Sequence, residues 1–151
     1  MSFQQKNITV SLANFSLILG FYVVRVFQMI QGGSFNPANV FRLWGIVIAL
    51  AVVVTIFATI LTHIVSAIIH AIRTGQESPD IEDIEDERDQ LIDLRGTKVT
   101  YFVTSIGGFL SMLTFVLGQP PLVMFTLLIF FGVLGQILGD VLRLVLYRRG
   151  L

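Results

Sequence analysis

"LWGIVIALAVVVTIFATILTHIVSAIIHAI", residues 43–72, carries no Asp, Glu, Lys or Arg over about 30 positions. As a helix rising 1.5 Å per residue it would be about 45 Å long, more than the hydrocarbon core of about 30 Å. It should therefore tilt, or project two or three turns beyond the core. Its apolar residues do not alternate with period two, which argues against a barrel strand.

The same reading extends to residues 8–30, 99–117 and 122–146, each long and apolar enough to cross a bilayer as a helix. The composition agrees: 54% of the 151 residues are hydrophobic and 13% are charged, against about 25% charged in soluble domains. The expected fold class is all-α: one polytopic membrane domain, 1–151, with four transmembrane helices. Net charge is zero, so no overall attraction to nucleic acid is expected, and the chain has no cysteine, which excludes disulfides and thiol chemistry. The first span has one preceding base, Lys6, and no small-residue cleavage site after it, so it reads as a retained helix.

The connections are "QGGSFNPANVFR" (31–42), an acidic stretch, and "GQPP" (118–121). Gly32, Gly33 and Pro37 give the first its turn chemistry. Gly118 is placed to end one helix and the prolines to start the next, so spans three and four should form a tight antiparallel hairpin. With four spans, the termini and the acidic stretch share one side. Lys6, Arg73, Arg88, Arg95, Lys98, Arg148 and Arg149 fall there, whereas the other side has Arg42. The excess of bases puts both termini and the acidic stretch in the cytoplasm, with the protein in a prokaryotic plasma membrane.

"PDIEDIEDERDQLIDLRG", 79–96, holds eight of the ten acidic residues. One reading is a solvated loop. The other is an acidic amphipathic helix over 80–95, within a cytosolic segment 74–98. Ser78 would cap it, Pro79 would take its first position, and Ile81, Ile84, Leu91, Ile92 and Leu94 would form its apolar stripe. Such a helix is a poor match for anionic lipid and needs another surface to cover. Calcium-loop spacing is absent from it, and no metal site is expected.

"DERDQLIDLRGTKVTYFV", 86–103, with Asp86, Glu87, Arg88 and Asp89 leading into Tyr101, resembles a group of small uncharacterised prokaryotic membrane proteins. They have four predicted helices and a cytosolic D-E-R-D motif between the second and third. The resemblance implies a partner-binding role for those four residues, and a cytosolic DNA-binding regulator as the partner. It implies no catalytic residue. The lead-in "PDIEDIE" departs from the group.

Charged and polar residues inside the spans are candidates for function. Arg25 falls near the outer boundary, about 25 Å after Ile8, where snorkelling accounts for it. Asp140 falls near the inner boundary, with Arg143 one turn away. His63 reaches a similar depth, and Tyr101 begins the third span on that side. A polar cluster of His63, Tyr101, Asp140 and Arg143 is therefore expected above the acidic helix. Thr55, Thr59, Thr62, Ser66 and His70 continue a polar face on the second span. Gly132, Gly135 and Gly139 mark close helix packing, either inside the hairpin or against a second copy of the chain. "NIT" and "NFS" at Asn7 and Asn14 match a glycosylation sequon by chance.

There is no nucleophile elbow, phosphate loop or H-E-x-x-H, so no enzyme is expected, and no cofactor. Three functions fit the sequence: a regulatory or scaffolding membrane protein whose acidic helix binds a cytosolic partner, a small transporter or channel subunit, and an accessory subunit of a larger membrane complex.

Overall fold

The computed structural model describes the backbone over residues 3–74 and 87–149, and side chains over 4–57 and 87–149 and at 60 and 64. The chain forms four helices: α1 (Phe3–Gln31), α2 (Pro37–Thr74), α3 (Glu87–Val116) and α4 (Pro121–Arg149). All four are long and apolar enough to cross a membrane.

Two glycines make the turns. After α1, Gly33 takes φ +64°, and Ser34 N–H donates to the Met29 carbonyl at 2.9 Å. After α3, Gly118 takes φ +84°, its N–H reaches Phe115 O at 3.0 Å, and Gln119 N–H reaches Thr114 O at 3.1 Å. Both are left-handed caps that satisfy carbonyls a helix end would otherwise orphan. Pro121 then opens α4.

Two boundaries differ from the sequence reading. The expected connection 31–42 is shorter, because α2 starts at Pro37. Asn36 caps it: its Oδ1 accepts the Asn39 N–H at 3.0 Å, and proline fits the position that has no donor to satisfy. The second difference lies between residues 95 and 99. The amphipathic helix read as ending at 95 and the span read as beginning at 99 are one helix, since α3 runs unbroken from Glu87 to Val116. Of that segment's described apolar residues, Ile92 is buried, whereas Leu91 and Leu94 are exposed. The proposed cap at Ser78 and Pro79, with Ile81 and Ile84, lies outside the described residues.

α4 is the hub. It packs most extensively on α3, then on α1, and touches α2 slightly; α1 also packs on α2, while α3 touches neither α1 nor α2 among the described residues. The apolar core joins α1 to α2 through Ile18, Tyr22, Leu43 and Val47, with Ile129, Phe130 and Val133 of α4 against it. The Tyr22 hydroxyl donates to Thr126 O at 2.8 Å, which removes the cost of burying it.

The α3–α4 contact is made of small residues. A Cβ at Gly107 would collide with the Phe131 ring, and one at Gly139 with the Thr100 hydroxyl and the Gly96 carbonyl. One at Gly135 would sit 2.6 Å from Thr104 Oγ1. Ser111, 0% exposed, donates to Gly107 O at 2.6 Å. Gly135 and Gly139 thus face α3 within the chain and are not open to a second copy; Gly132 faces open space.

Candidate functional site

The close approach of α3 and α4 determines what can be built at the end of the bundle where α1 and α3 begin and α4 finishes. Gly96 has no side chain, so Arg143 lies directly across it; a Cβ there would stand 2.5 Å from Arg143 Cγ. From this seat Arg143 donates in three directions: Nη1 to Asp140 Oδ1 at 2.8 Å, Nε to Asp93 Oδ1 at 2.9 Å, and Nη2 to Thr97 Oγ1 at 2.8 Å. One rigid guanidinium fork thereby joins α4 to α3 through the Asp93 carboxylate and the Thr97 hydroxyl, while pairing with Asp140 on its own helix.

Asp140 is 3% exposed. Besides Arg143, it accepts Ser11 Oγ at 2.6 Å on Oδ2 and Gln136 Nε2 at 3.2 Å on Oδ1. An isolated carboxylate so buried would cost several kcal/mol, and here three donors from two helices compensate it. One helical turn further on, Tyr147 donates to Asp89 Oδ1 at 2.8 Å. The stripe Gln136, Asp140, Arg143, Tyr147 follows i, i+4, i+7, i+11 along a single face of α4.

Beside this network lies a cavity of about 290 Å³. Gln4, Asn7, Ser11 and Asn14 line it from α1 and Thr55 from α2. Ile18, which belongs to the apolar core, lines it too. Ile8, Phe15, Ala51, Val54 and Ile92 line it as well, so polar and apolar side chains share its wall. Carboxamides and hydroxyls around a carboxylate–guanidinium pair can hydrogen-bond a polar ligand or hold ordered water. Among the described residues no group of three or more His, Asp or Glu could hold a metal ion.

The structure brings Asp140 and Arg143 together and leaves Tyr101 out. Tyr101 is 69% exposed, because Thr97 and Thr100 take the face of α3 that meets α4. The His63 side chain lies outside the described residues, so its expected contact with Asp140 does too, as do those of Thr59, Thr62, Ser66 and His70. Of the D-E-R-D motif, Asp86 lies outside the described residues, Glu87 and Arg88 are exposed, and Asp89 is turned toward Tyr147. Arg25 is at the opposite end from Asp140 and donates to Gln28 Oε1 at 3.2 Å.

Sequence reasoning missed Ser11, Asp93, Thr97, Gln136 and Tyr147. The α4 stripe and the Gln4, Asn7, Ser11, Asn14 row on α1 were both readable as polar periodicity. The sequon matches drew attention away from the second.

No family model matches the chain, and no curated protein or solved structure matches it either.

Proposed function

We propose that the chain is a non-enzymatic multi-pass membrane protein of a prokaryotic plasma membrane, with both termini and the acidic stretch in the cytoplasm, that regulates or scaffolds a cytosolic partner. The apolar outward faces of all four helices and the bases flanking the termini support the insertion and its direction. The observation that carries the partner reading is the attachment of the acidic stretch. Asp89 and Asp93, its last two acids, are bonded to Tyr147 and Arg143 of α4. A basic partner that grips the six acids at 80–87 pulls directly on the helix that packs against every other helix. The D-E-R-D resemblance points to the same class of partner, a DNA-binding regulator.

The test is a gentle-detergent pull-down comparing the wild type with a variant in which Asp80, Glu82, Asp83, Glu85 and Asp86 become Asn or Gln. A cytosolic protein held by the wild type and lost from the variant supports the reading. Equal recovery from both rules it out.

The transporter reading is less well supported. The pocket adjoins a second one that shares Phe15, Ala51 and Gln136, and the lining there, Val47, Ile48, Leu128, Ile129 and Val133, offers a hydrated solute no polar group. Solute flux through liposomes that depends on Asp140 would reverse this order.

A further inference from the structure

At the end of the bundle away from Asp140, α1 and α2 enclose a second cavity of about 360 Å³. Arg25 lines it from α1 and Arg42 from α2, with Gln28 and Asn39 nearby. Arg25 stands six residues before the end of α1 and Arg42 five residues after the start of α2. Both are thus about 8 to 9 Å from the connecting turn and share one level. The described carboxylates, Glu87, Asp89, Asp93 and Asp140, belong to the other end. Two guanidinium groups consequently face one cavity with no acid beside them among the described residues.

The cavity wall is also divided. Arg25, Gln28, Ser34, Asn39 and Arg42 are polar; Phe21 and Ile46 carry an apolar wall toward the middle of the helices, and Met29 and Leu43 add apolar surface beside the arginines. A soluble anion has no use for the apolar half. A phospholipid uses both, with phosphate against the arginines and acyl chain along the apolar wall. The depth fits as well. Phe41, Trp44 and Phe125 form an aromatic cluster with ring centroids 5.6 to 6.0 Å apart, within one turn of Arg42. Trp is a residue that collects at the headgroup boundary.

We infer that this cavity binds the phosphate of an anionic phospholipid, with Arg25 and Arg42 as its two holders. Guanidinium suits the task because its planar fork pairs with two phosphate oxygens at once. The inference rests on the membrane-spanning reading.

The test titrates the detergent-purified protein with phosphatidylglycerol, phosphatidylcholine or diacylglycerol and counts retained lipid by native mass spectrometry. Wild-type protein should retain phosphatidylglycerol about fivefold or more over phosphatidylcholine, and diacylglycerol least. The Arg25→Gln/Arg42→Gln variant should lose that preference, and Arg148→Gln/Arg149→Gln, at the other end, should keep it. An Arg25→Lys/Arg42→Lys variant keeps both charges without the fork and should fall between; it replaces the Gln variant if that one does not fold. Unchanged preference in the Gln variant, or an equal loss in the Arg148/Arg149 control, overturns the site. Displacement by inorganic phosphate overturns the lipid assignment in favour of a free-anion site. Alkaline washing of membranes is the separate check on insertion: release of the chain sinks the membrane reading, whatever the lipid titration gives.

Discussion

The two antiparallel pairs of this bundle are held by different means. α3 and α4 meet through glycines, threonines and a serine, so their backbones approach until a single Cβ would collide. α1 and α2 meet through large apolar side chains at Ile18, Tyr22, Leu43 and Val47, and α2 then exposes Ile56, Phe57, Ile60 and Ile64. Burial of apolar area holds a soluble core. It contributes little where the surroundings are equally apolar, and close van der Waals contact between small residues takes over. The α3–α4 pair is packed in that second manner, and the polar site stands on it: without Gly96 and Gly139, Arg143 could not reach Asp93 and Thr97.

The sharpest way to break this contrast is Gly139→Leu. The added side chain would occupy the place of Thr100 and the Gly96 carbonyl, and little monodisperse protein should be recovered on size exclusion. Gly132→Leu, seven residues away and facing open space, should leave recovery and thermal stability close to wild type. Equal damage from both would mean that the hairpin face is misassigned.

Next in size is Arg143→Met, which strands the buried Asp140 and should cost about 3–5 kcal/mol in thermal unfolding. Adding Asp140→Asn removes the uncompensated charge and should recover a large part of that loss. No recovery would show that Arg143 acts through packing alone.

In the other pair, Tyr22→Phe keeps the ring and removes the hydrogen bond to Thr126, so a loss of about 1 kcal/mol is expected. Smallest should be Asp93→Asn. This partner of Arg143 is 70% exposed, and its ion pair should be worth under about 1 kcal/mol in the same assay. A larger loss would move the centre of the site from Asp140 to Asp93.

The sequence made the number of helices legible, because uninterrupted apolar length reports directly on span count. It also showed the α3–α4 turn, where Gly118 and Pro121 are unambiguous punctuation. It misled at Asn36 and Pro37, where a helix start resembles a loop because caps use turn residues. It did not show that the helix read over 80–95 and the span read from 99 are one helix, in which the missing Cβ of Gly96 seats Arg143. Asp140 and Arg143 were legible because they are one turn apart on one helix. Tyr101 was misplaced because depth along a helix can be counted from sequence, whereas rotation about its axis depends on which neighbour it meets. Ser11 and Asp93 reach the same site from distant parts of the chain, and only the fold brings them there.

α4 is the last of the four helices to be synthesised, and among the described residues it alone packs against all the others. During translation α3 therefore has no described partner, and α1 and α2 have only each other. The bundle cannot close gradually as each helix emerges. Asp89 and Asp93 wait for Tyr147 and Arg143, which leave the ribosome after the other three helices, so a chain stopped before α4 would lack the hub and at least one partner of every polar contact at the site. The helix that locks the other three together is thus the last of the four to arrive.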